Sequence, residues 1–201
     1  MADSIFKHIA NLPDKRTARA FYEIFKRFVA PATEPSNGTL LDIGATTATA
    51  AELNRVADIS ARVVTTTATA LSLTVTEHAE RVVLINTNST VANTFTLPVA
   101  TGSGAKFTLI VNTPQTQGSI VVAASGTLDT LTGVARIVDT TAETAGAFLT
   151  SATSDKITLN ATTMGGLGGD KIELLDGKAN QWSIQADLSG SGTLATGFAA
   201  T

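Results

Sequence analysis

The sequence predicts a mainly β protein, with a jelly-roll-like or β-sandwich body and an N-terminal helical arm. Thr, which favours strands, makes up about a sixth of the 201 residues, and Gly and Ala are also abundant. Short apolar runs separated by Gly- and Asn-rich turn signals recur from residue 63 onward. Half of the aromatic residues lie instead within the first 30 residues. We therefore expect a basic aromatic helical arm at 1–30, a linker with a short helix at 31–62 and a β-rich domain at 63–201.

The arm is predicted to be an amphipathic helix with one aromatic stripe. From Lys15 onward, apolar side chains recur three, four and seven positions apart, and Pro31 ends the pattern. The first 30 residues carry a net charge of +3, so the remainder carries −6 of the total of −3. Opposite charges on two parts of a chain indicate different surroundings. We expect a binding surface made of Arg19, Phe21, Tyr22, Phe25, Lys26, Arg27 and Phe28.

Four uses of this stripe are open from the residues alone. It could pack on the protein's own β body, insert into a groove of a partner, associate with other copies or lie on a membrane surface. The separate position of the arm beyond a Pro- and Gly-containing linker favours a partner. Nucleic acid is disfavoured because six basic residues are offset by three acidic ones. No apolar run approaches the ~20 residues of a membrane span.

The linker is predicted from Pro31, Pro35 and the turn pair Asn37-Gly38. Thr49 precedes Glu52 by three residues, which is the spacing of a helix capping box. A short helix is therefore expected from about Ala50 to Asp58.

The β body is predicted from nine strand candidates. Leu71–Thr76 alternates apolar and polar residues, whereas Arg81–Asn86 and Lys106–Asn112 are continuous apolar runs that suit strands buried on both faces. The other candidates are Thr94–Leu97, Ser119–Ala123, Ala135–Val138, Lys156–Leu159, Asp170–Leu175 and Gln181–Ala186. No strict internal repeat that would require a solenoid is present.

No catalytic or metal site is predicted, and no cofactor. The chain has no cysteine, which excludes thiolate metal sites and cysteine nucleophiles. Glu77, His78 and Glu80 are interpreted as a polar turn between strands, and the Gly-rich segment at 165–169 as a strand connection, because no Lys-Ser or Lys-Thr follows it. The aspartates at 129, 139, 155, 170 and 176 lack a calcium-loop pattern and are expected to be solvated loop residues.

Several stretches resemble tailed-bacteriophage capsid decoration (cement) and head structural proteins. They are TAAELNRVAD at 49–58, LSLTVTEH at 71–78, FTLPVATGSGAKF at 95–107, GDKIELLD at 169–176 and LSGSGTLATGF at 188–198. In collinear order they cover most of residues 46–201 and leave out residues 1–45. The resemblance implies a non-enzymatic β-rich virion protein, often a homotrimer, on the capsid surface.

The expected function is therefore that of a capsid decoration protein, made in the bacterial cytoplasm, that binds the major capsid protein and stabilises the shell. The alternative is a head fibre, tail fibre or spike that binds a host-surface glycan, since similar segments occur in such proteins. An enzyme such as a glycan depolymerase is disfavoured because no paired carboxylates are visible in the sequence.

Overall fold

The structure is a computed structural model, and it describes residues 39–43, 46–49 and 62–200. The chain divides into two compact units, Met1–Ala57 and Asp58–Thr201. The predicted arm and the predicted helix from Ala50 to Asp58 lie outside the described residues. Within the predicted linker, the structure contains two antiparallel strands, β1 (Thr39–Ile43) and β2 (Thr46–Thr49). Extended backbone at these positions suits the Thr and Ile residues of the two strands.

The second unit is the predicted β body, and it contains one short helix and twelve strands among its described residues. The helix is α1 (Val75–His78). The strands are β3 (Val63–Thr66), β4 (Ala70–Ser72), β5 (Val82–Ile85), β6 (Asn93–Thr96), β7 (Lys106–Val111), β8 (Ile120–Ala123), β9 (Thr130–Asp139), β10 (Ala145–Leu149), β11 (Lys156–Leu159), β12 (Lys171–Lys178), β13 (Gln181–Gly190) and β14 (Phe198–Ala199).

The twelve strands form two mixed sheets, so the mainly β fold class is confirmed. The larger sheet has the order β10-β9-β13-β12-β7-β5-β3, and the smaller one has the order β14-β11-β8-β6-β4. The inner faces of both sheets contribute to one apolar core, as in a β-sandwich. Five of the strand pairs are parallel, which fits a sandwich of mixed sheets better than an antiparallel jelly roll.

The first six strands of this unit wind in three coils. The chain alternates between the sheets, so that β3, β5 and β7 are parallel neighbours in the larger sheet and β4, β6 and β8 in the smaller one. Val63 pairs with Val82, and Val82 pairs with Thr108. The coils therefore differ in length, and this explains why the sequence shows no strict period although the winding is solenoid-like.

The core uses the aromatic residues of the body. Phe95, Phe107 and Trp182 have no exposed surface, and Phe198 is 9% exposed. The rings of Phe107 and Trp182 meet edge to face, with centroids 5.6 Å apart. The Gly-rich C-terminal segment contains the paired strand β14, which lies against β11 and includes Phe198.

Three strand predictions are wrong in detail. Leu71–Thr76 is a strand only to Ser72, because Thr74 caps α1 by accepting a hydrogen bond from the Glu77 amide at 3.2 Å. The apolar runs of β5 and β7 are buried on one face only. Val82, Leu84 and Ile110 lie on the outer face of the larger sheet and keep part of their surface exposed.

Polar side chains join successive coils at the corner that follows β5 and β7. Asn112 donates its amide to Asn86 Oδ1 at 2.9 Å near the surface. Deeper in the same corner, Asn93 donates to Gln115 Oε1 at 2.9 Å, and Gln115 donates to the carbonyl of Thr87. Asn93 and Gln115 are 0% and 1% exposed. A buried amide without its partner costs more than an exposed one, because water cannot replace the lost hydrogen bond.

This difference in burial predicts the effects of two substitutions. Asn93→Ala should lower the free energy of unfolding by about 2 kcal/mol, since it leaves Gln115 Oε1 buried without a donor. Asn86→Ala, the matched control, should cost less than about 1 kcal/mol. Urea unfolding followed by the fluorescence of Trp182, the single tryptophan of the chain, measures both values. Equal losses for the two variants would contradict the prediction.

Candidate functional site

The predicted binding residues at 19–28 all lie outside the described residues, so their roles remain predictions. Among the described residues, the larger of the two sandwich sheets has seven strands, and its outer face is an open surface. Strand register places its side chains in rows that cross all seven strands. One row reads Val63, Val82, Thr108, Glu173, Gln185, Val134 and Leu149.

The centre of this face is charged, and its two ends are apolar. Glu173 Oε1 lies 3.5 Å from Lys106 Nζ and 3.6 Å from Lys171 Nζ, and Arg136 lies 3.1 Å from Asp187. At the β9–β10 end, Val138 and Leu149 are 52% and 77% exposed. The exposed ion pairs contribute little to stability. Val138 lies opposite Ala145 and Leu149 lies opposite Val134, so these two exposed side chains are at opposite ends of the β9–β10 pair.

A shallow groove of about 320 Å³ crosses the charged centre. Its polar lining consists of Lys106, Glu173, Ser183 and Gln185, and Leu175 adds an apolar side. These groups offer donors and acceptors to a polar ligand. No aromatic side chain lines the groove for a sugar ring to stack on.

The predicted solvated aspartates are buried, with Asp129, Asp139, Asp170 and Asp176 at most 4% exposed. Asp155 is partly buried. Each of the four buried carboxylates accepts backbone N–H groups from a loop. Asp129 accepts from Ala100, and Asp139 accepts from the next turn of its own chain, at Thr141 and Ala142. The sequence pattern misses this role for Asp129, Asp170 and Asp176, because some of their hydrogen-bond donors are far away in the chain. Only the donors to Asp139 are local.

Asp176 is the most extensively bonded of these carboxylates. It accepts hydrogen bonds from the amides of Thr101, Gly102 and Ser103 and from the hydroxyls of Thr101 and Ser103, at 2.7 to 3.2 Å. Burial alone would raise the pKa of this carboxyl, but the hydrogen bonds from Ser103, Gly102 and Thr101 outweigh it and lower the pKa to about 2. Asp176 therefore stays ionised and holds the loop between β6 and β7.

Asp170 holds the Gly-rich segment that precedes β12. Its Oδ2 accepts from the amides of Gly166 and Leu167 at 2.7 and 3.1 Å, and its Oδ1 accepts from the Ser189 amide at 2.8 Å. Burial raises the pKa of Asp170, and the three hydrogen bonds reduce that shift without cancelling it. The Gly-rich segment is thus a pinned strand connection between β11 and β12, as the sequence indicated, rather than a phosphate loop.

The cluster of Glu77, His78 and Glu80 is not a convergent site. His78 is 5% exposed, and its Nδ1 lies 3.0 Å from the Thr74 amide. Glu80 instead accepts a hydrogen bond from the Lys106 amide at 3.1 Å. Within residues 39–43, 46–49 and 62–200, no three His, Cys, Asp or Glu side chains are placed to hold a metal ion. Among these same residues, no helix is long and apolar enough to cross a membrane.

No family model, no curated protein and no solved structure matches the chain.

Proposed function

We propose that the chain is a virion structural protein, a capsid decoration (cement) protein that binds the major capsid protein on the outer surface of a phage head. Its homotrimeric assembly and its place on the virion are parts of the same proposal. The starting point is the collinear resemblance over most of residues 46–201. Binding to the assembled shell stabilises it by mass action, because the free subunits do not offer the same site.

The observation that carries the proposal is the use of acidic side chains in the β body. In the described residues, four buried carboxylates hold loop backbone, and five charged side chains of the larger sheet form ion pairs at the surface, namely Lys106, Arg136, Lys171, Glu173 and Asp187. Such a body is suited to being displayed at high density as a rigid, acidic unit. The basic aromatic segment then attaches the protein to the shell. In it, Phe21, Phe25 and Phe28 supply apolar anchors, and Arg19, Lys26 and Arg27 supply positive charge.

Co-sedimentation with mature shells stripped of this protein tests the proposal. The full chain should bind saturably, and a variant with Phe21→Ser, Phe25→Ser and Phe28→Ser should lose at least about tenfold in affinity, since each lost apolar anchor removes roughly 1 kcal/mol or more. The matched control carries Val91→Ser, Val99→Ser and Leu128→Ser, three exposed apolar positions of the body, and should bind like the wild type. Binding of all three proteins alike would assign attachment to another surface, and no binding by any of them would overturn the decoration function.

The second candidate is a fibre or spike protein that binds a host-surface glycan. The groove lined by Lys106, Glu173, Ser183 and Gln185 favours it, because these side chains can hydrogen-bond sugar hydroxyls. This function predicts binding of the purified protein to host cells or host polysaccharide and loss of that binding in Gln185→Ala. Saturable shell binding without any binding to polysaccharide would argue against it.

A further inference from the structure

Strand β10 is an edge of the seven-stranded sheet without the usual protection of an edge strand. It pairs with β9 on one side, and none of the described strands pairs with its other side. Its sequence, AGAFL, contains no charge and no proline. Edge strands are normally protected by short length, charged residues, proline or a bulge. At five residues β10 is longer than the other edges, β3, β4 and β14, which have four, three and two.

The backbone groups of β10 that face outward follow from the hydrogen bonds at its two ends. The Asp139 amide donates to the Thr144 carbonyl at 2.7 Å, and the Thr150 amide donates to the Gly133 carbonyl at 3.1 Å. In an antiparallel pair, hydrogen-bonded residues alternate with non-bonded ones. Gly146 and Phe148 therefore bond to β9, whereas the N–H and C=O groups of Ala145, Ala147 and Leu149 point away from the sheet.

The side chains of the same three residues lie on the outer face of the sheet. All three are exposed, and Leu149 is the most exposed large apolar side chain of the described residues at 77%. Across β9, Leu149 lies opposite Val134, and Ala145 lies opposite Val138. The edge thus combines unpaired backbone groups with an apolar border.

We propose that β10 pairs antiparallel with β10 of a second copy of this chain, about a two-fold axis at Ala147. In this register Ala147 faces the second copy's Ala147, and Leu149 faces its Ala145. All outward backbone groups of both strands then pair, which gives six hydrogen bonds for three residue pairs. The large Leu149 side chain meets a small alanine, and a continuous apolar row forms from Val134 and Leu149 to the Ala145 and Val138 positions of the second copy.

The charges near the edge also fit a second copy. Arg136 lies opposite Ala147 across β9 and is already paired with Asp187 at 3.1 Å. The two copies of Arg136 would be three strand spacings apart, about 14 Å. This exceeds the Debye length of about 8 Å at physiological salt, so the like charges repel little. A two-fold contact at this edge leaves other surfaces free for the three-fold contact of a trimer. The proposed pairing of β10 does not depend on which partner the protein binds.

Sedimentation velocity on the full chain over a range of concentrations tests this contact. Leu149→Lys should halve the assembly mass at matched concentration, because it places a charge at each end of the pairing. Ala147→Pro should do the same, since it removes an outward N–H without breaking a bond to β9. Leu128→Lys is the matched control, because Leu128 is 73% exposed and lies in a loop, and it should keep the wild-type mass. Circular dichroism verifies that all variants fold.

Amide hydrogen exchange gives the second measurement. The amides of Ala145, Ala147 and Leu149 should exchange at least about tenfold more slowly in the wild type than in Leu149→Lys, since pairing protects them. The amides of Gly146 and Phe148, which bond to β9, should be protected in both proteins. A wild-type mass that neither Leu149→Lys nor Ala147→Pro changes, or a wild type that stays a single chain, would overturn the proposal. So would fast exchange of the Ala147 amide in the wild type.

Discussion

Replacing Gly133 with alanine should destabilise the β body by more than about 3 kcal/mol, because the added methyl group has no space. A Cβ atom at this position would lie 1.8 Å from the Ile184 carbonyl oxygen and 2.8 Å from its carbonyl carbon. Gly133 and Ile184 are register partners in the parallel pair β9–β13, next to one edge strand and within the larger sheet. Only separation of the two strands relieves the contact, and this breaks the longest strand pair of the sheet.

The matched control for this substitution is Gly177→Ala on β12. The φ angle of Gly177 is not in the left-handed region, and its nearest foreign atom would be Ser183 Oγ at 3.6 Å, which is a normal contact. We expect the free energy of unfolding to change by less than about 1 kcal/mol, because alanine reduces the conformational freedom of the unfolded chain and this offsets a small loss of stability in the folded state. Urea unfolding monitored by Trp182 fluorescence measures both variants. A Gly133→Ala protein as stable as the Gly177→Ala protein would show that β9 and β13 are not paired in this register.

Asp176→Asn is the substitution with the second large expected effect. At neutral pH it should lower the free energy of unfolding by about 3 kcal/mol. The carboxylate accepts hydrogen bonds from three backbone amides and two hydroxyls, and an amide NH₂ placed among these donors leaves at least one of them without an acceptor. Asp187→Asn is the control, because Asp187 is 45% exposed and bonds to a similarly exposed Arg136. It should change the free energy of unfolding by less than about 1 kcal/mol.

The lowered pKa of Asp176 also predicts how stability depends on pH. Its pKa falls from 3.8 to about 2 on folding, so the ionised form stabilises the fold by about 2 kcal/mol above the unfolded pKa. This contribution is lost as the pH falls through about 2. Asp170, whose pKa is raised, has the opposite effect, because its protonation favours the folded state as the pH falls toward 3.8.

Urea unfolding between about pH 5 and about pH 2 distinguishes the contribution of Asp176 to stability from that of Asp170. In this range the wild type should lose more stability than Asp176→Asn, whose side chain cannot titrate. Asp187→Asn should follow the wild-type curve closely. Parallel curves for the wild type and Asp176→Asn would mean that the Asp176 carboxylate is not held by the Thr101–Ser103 loop in solution.

The sequence predicted the fold class because strand formation leaves a local signature. Alternating runs such as Gln181–Ala186, short apolar runs such as Ser119–Ala123 and the turn signals between them depend on neighbours only a few positions away. The predicted strands at Lys106–Asn112 and Lys156–Leu159 agree with β7 and β11 to within one residue. The candidate attachment residues at 19–28 lie outside the described part of the chain and outside the resemblance, so their support is the aromatic and basic pattern of the sequence.

Strand β10 illustrates what the local pattern misses. Ala145–Leu149 has no β-branched residue and begins with three small residues, so its propensity for a strand is low. It becomes a strand because β9 offers a complete row of partners. Its exposure follows from the order of strands in the sheet, and no neighbouring residue in the sequence specifies that order.

By itself, the sequence determined that the body is a β protein and that a basic aromatic segment precedes it in the chain. Apolar periodicity and composition carry this information, because they act over a few residues. Tertiary structure decided the three coils, the burial of Asp170 and Asp176 and the open edge at β10. These features depend on which strands and loops that are distant in the sequence come into contact. Those contacts are set by the packing of all the strands around one core, and no single segment determines them.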